Sequence, residues 1–498
     1  MKYTVNRNRN LGKISPMIYG QFLEHFHRQV YGGVYDPQNP LSDAEGLRTD
    51  VLDAMRKIKV PIIRWPGGCF VSSYHWEEGV GPNRVPRFDK AWRVEDPNTF
   101  GTDEYVALCR KIGCEPYICT NAGTGTAEEM SNWAEYCNLE NEGQYAKRRI
   151  ANGHKAPHKV RYWSIGNENY GAWEIGAKSA DEWGRLVAEA AKMLKHVDPT
   201  IELTAAALAD VDWNMKLLKS SGQFLDWISL HGYWDHVHET NQFADYEASM
   251  VMTQEVGSSV AKAKGLLTAL GMEKQIKIAF DEWNLREWYH PNVHTVKQGR
   301  TKEEYLYPRD KNDDNTLYTM ADAVFSACFL NMCGRNCDIV GMANFAPIVN
   351  TRGAIFTYDK GIVLRSTYHV FDLYVNYLGD TLLDGWLDEQ APSMQMKSTE
   401  GKLCTVDTLD ILPTCDAEKQ LLAIAVVNKS AAESQTLAIT DAGQPVKEYR
   451  IITVNGDSPD AYNDIGHDGV TLTAGAWQPV TGAPYVFAPH SVNVLQLR

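Results

Sequence analysis

Two glutamates have surroundings suited to chemistry. Glu168 lies in Ser164-Ile165-Gly166-Asn167-Glu168-Asn169-Tyr170-Gly171, and Glu282 in Ile276-Lys277-Ile278-Ala279-Phe280-Asp281-Glu282-Trp283-Asn284. Each follows a short apolar run and opens a polar, aromatic stretch. Two carboxyl groups facing each other across a pocket are what glycosidic bond cleavage requires: one protonates the leaving oxygen, and the other attacks the anomeric carbon or activates water. The bland alternative is a pair of solvated loop carboxylates, the usual fate of a glutamate. The apolar strand context of Glu282 argues against it.

Such a pair needs a frame that brings distant segments to one mouth. Eight strand-like runs occur in order: Met17–Glu24, Pro61–Trp65, Glu115–Thr120, Val160–Glu168, Glu202–Leu208, Asp226–His231, Ile276–Glu282 and Ile339–Phe345. Helix-like stretches fall between and after them, including Ser42–Lys57, Asp103–Lys111, Ala180–His196, Tyr246–Leu270, Asn315–Met332 and Thr367–Leu378. Alternating strands and helices imply parallel strands with right-handed crossovers, and eight such units imply a (β/α)8 barrel. A doubly wound open sheet is the alternative, but no Gly-x-Gly-x-x-Gly turn follows the first run. In a barrel the functional groups sit at the C-terminal strand ends. Those of the fourth and seventh runs, which carry Glu168 and Glu282, lie on roughly opposite sides.

After about residue 385 the pattern changes to strand-like segments alone: Leu421–Asn428, Gln435–Thr440, Val446–Val454 and Ser491–Leu497. The expected organisation is a catalytic barrel over 15–385 and an antiparallel, jelly-roll-like β-sandwich over 386–498. The N-terminal segment 1–14, with Tyr3–Val5 strand-like, is expected to join the sandwich.

Composition narrows the partners. With 498 residues, 44% hydrophobic and 22% charged, the chain is long enough for one large and one smaller core. A net charge of −14 argues against nucleic acid, and no apolar run is long enough for a membrane span. The first residues contain no apolar stretch of the signal-peptide kind, and the ten cysteines are scattered, so the expected location is the cytoplasm. Cys333 and Cys337 read as buried thiols. His25 with His27 and His236 with His238 have His-x-His spacing, but neither is joined to a carboxylate–histidine motif. No metal and no cofactor are expected. The charged stretch Arg300–Asn315 reads as solvated, with a subsite lid or subunit contact as the alternative.

The stretch Gly166–Gly171 resembles the Asn-Glu acid/base motif of the large barrel clan of retaining glycosidases. Four further stretches resemble glycoside hydrolase family 51, the α-L-arabinofuranosidases: Ile18-Tyr19-Gly20-Gln21-Phe22-Leu23-Glu24-His25, Arg64-Trp65-Pro66-Gly67-Gly68, Asp281-Glu282-Trp283-Asn284 and Tyr368-His369-Val370-Phe371-Asp372-Leu373-Tyr374. The likeness runs from about residue 12 through the barrel and, more loosely, through the sandwich.

The resemblance implies an exo-acting retaining enzyme that releases terminal α-L-arabinofuranosyl units from arabinoxylan- or arabinan-derived saccharides, with Glu168 as acid/base and Glu282 as nucleophile. It further implies that Asn167 and Glu24 bind sugar hydroxyls, that Arg64 keeps Glu282 ionised, and that Tyr233 aims it. Cys69 follows Gly67-Gly68 where a number of members have asparagine, and it is counted with the sugar contacts. Past the eighth run, Ala343-Asn344-Phe345-Ala346-Pro347-Ile348 resembles the family, but no residue there is assigned to the sugar. A homo-oligomer, a hexamer, is implied as well.

Two expectations concern physics. Glu168 needs a proton near neutral pH, so the charge of Glu282 and partial burial are expected to raise its pKa. Trp283, Trp288-Tyr289 and Tyr74-His75-Trp76 read as aromatic walls for sugar rings, with core packing as the alternative. The competing functions are an endoglucanase or xylosidase on the same scaffold, because the glutamates set the chemistry and not the sugar, and a non-catalytic carbohydrate-binding protein.

Overall fold

The computed structural model describes residues 1–289, 307–416, 418, 421–441 and 446–498. Eight parallel strands close into a barrel in strict chain order: Gly20–Phe22, Ile62–Trp65, Glu115–Thr120, Tyr162–Ile165, Glu202–Ala206, Trp227–Asp235, Lys277–Arg286 and Val340–Phe345. Every one falls on an expected run, so the open-sheet alternative is excluded by closure. Helices missed in the sequence are Ala127–Asn138, Gly143–Ala151 and Val211–Ser221, and the expected Tyr246–Leu270 helix divides into Tyr246–Met252 and Ser258–Ala269.

The two-residue side-chain period divides the barrel interior into layers. Ile62, Tyr117, Tyr162, Ala279 and Met342 make a small apolar cluster. Two residues further along the same strands stand Arg64, Cys119, Ser164, Asp281 and Asn344, all buried. The interior therefore changes from apolar to polar toward the strand ends, and a fully buried arginine is held where the polar layer begins.

A second, antiparallel sheet takes in Leu409–Asp416, Leu421–Asn428, Gln435–Asp441, Glu448–Gly456 and Ser491–Leu497. Its chain begins at Thr381–Leu387, so the strand crosses the expected boundary at 385. The N-terminal strand Lys2–Lys13 joins it, antiparallel to Thr381–Leu387 and parallel to Gln435–Asp441. Tyr449 and Tyr485, from opposite ends of the strand order, meet at 4.9 Å. The sheet thus folds over on itself around a core of its own. The strand Leu421–Asn428 is apolar as far as Val427 because both faces are covered. Leu422, Ile424 and Val426 face that core, whereas Ala423, Ala425 and Val427 pack with the barrel core.

The helix Met320–Arg335 lies between these bodies and is buried from Met320 to Gly334, which explains why its sequence is apolar all round. Cys333 is buried within it, and Cys337 is half-buried just beyond.

Candidate active site

The seventh strand carries the first half of the site. Pairing with both neighbours is irregular around residues 280–283, and such a bulge re-aims side chains. Asp281 points into the interior, accepting a hydrogen bond from Tyr117 at 2.7 Å and lying 3.3 Å from Arg64. Glu282, the next residue, also reaches the central pocket. Arg64 donates to its Oε2 at 3.0 Å and Tyr233 to its Oε1 at 2.6 Å, while Arg352 donates to the Tyr233 hydroxyl at 3.1 Å. Both Glu282 oxygens are fixed by charged or charge-backed donors, the strong class of hydrogen bond.

Trp283 then turns outward. It is fully buried and stacks on Phe329 at 3.9 Å, so it is not a sugar wall. Tyr74 and Trp76 are likewise core residues. Of the expected aromatic walls, Trp288 does line the pocket.

Glu168 sits in the turn after the fourth strand in the left-handed region, with φ +44°, a conformation that tends to persist where function holds it. Its Oε1 bonds His231 Nδ1 at 2.8 Å, and its Oε2 accepts from the Trp173 indole at 2.9 Å. His231 also lies 3.4 Å from Asp281 and 3.7 Å from Glu282. Burial pulls the His231 pKa down, but the charge of Glu282 and the bonds to Asp281 and Glu168 push it up to about 10. The imidazole is therefore cationic at neutral pH. Burial pushes Glu168 up, but the His231 bond and charge, aided by Trp173 and Arg64, leave it below the ordinary carboxylate value. This corrects the expectation of a raised pKa: Glu168 is held down by His231, which the sequence reading left without a role.

The pocket is a cavity of about 440 Å³ whose lining includes Glu24, Cys69, Glu168, Tyr233, Glu282 and Arg352. Beside Glu282 stands Gly68, where a Cβ would lie 3.3 Å from Glu282 Oε2 and 3.6 Å from both Asn167 Nδ2 and Glu24 Oε1. Three polar groups therefore converge on the space that glycine leaves open. Glu24 Oε1 accepts three bonds, from the backbone N–H of Gly68 and Phe70 and from the Trp92 indole. Burial, then the charge of Glu282, raises its pKa to about 8. Asn167 accepts from Arg64 at 2.8 Å and donates to Glu174 at 3.2 Å. Burial likewise lifts Glu174 to about 7. Cys69 is half-buried, and burial together with the nearby carboxylates keeps its thiol protonated.

The sequence reading missed Trp92, Trp173, Glu174, His231 and Arg352. Trp173 and Glu174 lie in the loop of Glu168, and His231 ends the sixth strand beside Tyr233, so strand-end position was a usable signal. Trp92 comes from a hairpin, Arg87–Asp89 with Val94–Asp96, that nothing tied to the pocket. Of the charged stretch 300–315, residues 300–306 lie outside the described residues. Arg309 and Asn312 beyond them are buried, and Asp313 bonds His27 at 2.9 Å. This part is therefore packed in places, while Asp310, Lys311 and Asp314 are exposed as expected. His25 pairs instead with Asp96 at 3.0 Å, while His236 and His238 both meet Glu287.

Residues 54–250 match the family model described as the alpha-L-arabinofuranosidase 1 domain, and residues 281–491 that of the alpha-L-arabinofuranosidase C-terminal domain. The chain is 33% identical to alpha-L-arabinofuranosidase C of Emericella nidulans, covering 99% of this chain and 96% of that one. The chain belongs to the α-L-arabinofuranosidases of glycoside hydrolase family 51. It is also 31% identical to intracellular exo-alpha-(1->5)-L-arabinofuranosidase 1 of Bacillus subtilis, over 99% of this chain and 98% of the other. The solved structure of the thermostable family 51 alpha-L-arabinofuranosidase from Thermotoga petrophila is similar over the whole of both chains, with 34% identity and a TM-score of 0.86.

Proposed function

We propose that this arabinofuranosidase is exo-acting and retaining, with Glu282 as nucleophile and Glu168 as general acid and then base. The observation that carries the reading is spacing: one oxygen of Glu168 and one of Glu282 lie within 4.8 Å, with His231 between them. So close an approach of one oxygen from each fits carboxyl groups about 5–5.5 Å apart, the spacing used for direct attack.

Proton accounting supports the assignment. Before reaction the cluster holds ionised Glu282, cationic His231 and ionised Glu168, a net charge of −1. Glu282 attacks the anomeric carbon, the bond to the leaving oxygen breaks, and the proton of the His231–Glu168 pair moves onto that oxygen. Glu282 is then an uncharged ester, His231 is neutral and Glu168 is ionised, again −1. Loss of the Glu282 charge removes the largest upward influence on His231. Glu168 next takes a proton from water, which displaces Glu282 and restores the start. Little charge is buried or exposed at any stage, which avoids a large desolvation cost.

Glu24, Asn167 and the space over Gly68 form the glycone end, with Cys69 beside them and Arg64 and Tyr233 fixing Glu282. A neutral Glu24 has a proton to donate to a sugar hydroxyl. The pocket is closed in at Glu282, which is 8% exposed, and beside Glu168 it is lined by Trp173, which is 50% exposed. That shape favours a terminal unit over a chain interior. The substrates are arabinofuranosyl oligosaccharides derived from arabinan or arabinoxylan, α-(1→5)-linked ones included, as the name of the Bacillus subtilis relative indicates for that protein. Cytoplasmic action fits relatives named intracellular. Among the described residues no helix is long and apolar enough to cross a membrane. We further propose a homo-oligomer, a hexamer by family likeness.

The test is hydrolysis of 4-nitrophenyl α-L-arabinofuranoside by wild type, Glu168→Ala and Glu282→Ala, with added azide. Rescue of Glu168→Ala as the α-azide and of Glu282→Ala as the inverted β-azide is expected. Reversed products exchange the roles, and an active Glu282→Ala without azide removes the nucleophile assignment.

A further inference from the structure

Glu174 has no part in the reaction as described, yet it is only 4% exposed, and burying a carboxyl group costs free energy unless it is partnered. It follows Glu168 in the same loop, and one of its oxygens lies within 4.8 Å of both the Glu168 carboxylate and the Cys69 thiol. Its Oε2 accepts from Asn167 Nδ2 at 3.2 Å, while Arg64 donates to Asn167 Oδ1 at 2.8 Å. The Asn167 amide is therefore gripped at both ends by groups of opposite character. A guanidinium donates only to the oxygen end, and with that end held by Arg64 the nitrogen end faces the Glu174 oxygen that accepts from it, so the pair favours one of the two amide orientations.

An amide nitrogen carries two N–H groups. With one directed at Glu174, the second is left for the pocket, where Nδ2 lies 3.6 Å from the Cβ position of Gly68. Arg64 alone would fix the oxygen end and leave the nitrogen free to swing with χ1 and χ2, and errors of about an ångström at a contact that tightens in the transition state are costly.

We propose that Glu174 is a positioning residue for glycosyl transfer, holding the Asn167 amide so that one N–H faces the sugar hydroxyl beside the anomeric carbon. The proposal rests on the reading of Asn167 as a sugar contact. It acts through Asn167 and not on the substrate, so its signature is coupling between the two residues.

The experiment measures kcat and KM on 4-nitrophenyl α-L-arabinofuranoside for wild type, Asn167→Ala, Glu174→Ala and the double variant. Glu174→Ala is expected to lower kcat about 10- to 100-fold with KM changed less than about threefold. In the Asn167→Ala background it should add less than about twofold, because the group it holds is gone. Glu174→Gln keeps the shape and an oxygen acceptor and should retain kcat within about threefold. Glu174→Met, which fills the volume without an acceptor, stands in where the alanine variant does not fold. If Asn167→Ala is impaired and the two losses simply multiply, this proposal falls and the sugar contact stands. A Gln variant as poor as the Met variant also overturns it. If Asn167→Ala is unimpaired, both readings fall.

Discussion

Glu282 and Glu168 are the same residue on opposite sides of one pocket, and the protein surrounds them in contrasting ways. Glu282 is clamped by the Arg64 guanidinium and by a tyrosine that Arg352 backs. Those partners do not exchange protons near neutrality, so they fix position and charge. Glu168 is held by an imidazole and an indole, and the imidazole is a partner that gives and takes a proton. One carboxylate is held rigidly by donors that keep their protons, and the other is coupled to a proton store. The difference teaches that role follows from what the neighbours can exchange, since the side chains themselves are identical.

The largest test of that contrast is leaving-group dependence. Glu282→Ala should lose roughly 10⁴-fold or more in kcat on every substrate. Glu168→Ala should lose about 10²–10⁴-fold on an arabino-disaccharide, whose leaving oxygen needs a proton, and far less in the glycosylation step with a dinitrophenyl aglycone. Pre-steady-state release of the aglycone measures this step; equal losses on both substrates would erase the distinction.

A smaller effect separates two tryptophans on the nucleophile side. Trp283 is in the core against Phe329 and Phe345, whereas Trp288 lines the pocket beside Trp92. Trp283→Ala should cost about 3–5 kcal/mol of stability. Trp288→Ala should raise KM severalfold and lower the melting temperature less. Thermal unfolding alongside kinetics checks both, and a raised KM with unchanged stability for Trp283→Ala would contradict the outward turn.

The smallest effect is the pH dependence of stability, where the signs differ across the pair. The His231 pKa is raised, so its contribution to stability is complete below about 6.5, the unfolded value, and is lost as pH rises toward about 10. Glu168 is lowered, so its contribution is present above its unfolded value and lost as pH falls through the folded one. Wild type should therefore lose melting temperature between pH 6.5 and 10 more steeply than His231→Gln. Parallel curves would mean that His231 is not the proton store.

Much of the frame was legible in the sequence because strand periodicity and strand–helix alternation are local. All eight barrel strands, four strands of the second sheet and both central glutamates lie where the chain marks them, whereas Thr381–Leu387, Leu409–Asp416, Val470–Ala474 and Tyr485–Phe487 went unmarked. The helix Met320–Arg335 was legible too, as the helix-like stretch Asn315–Met332. Trp283 was misread for a physical reason: strand alternation does not reveal a bulge, and the bulge sends Glu282 inward and its neighbour outward.

The sequence by itself determined which residues stand at strand ends, and so which carboxyl groups are available for chemistry. Only the tertiary structure decided their protonation and aim. Both depend on contacts between residues far apart in the chain, such as Arg64 with Glu282 and His231 with Glu168. Electrostatic coupling falls with distance in space and is indifferent to separation in sequence. The same holds for Glu174, whose partner Asn167 is near in sequence but whose effect requires Arg64, from another strand, at the far end of the same amide.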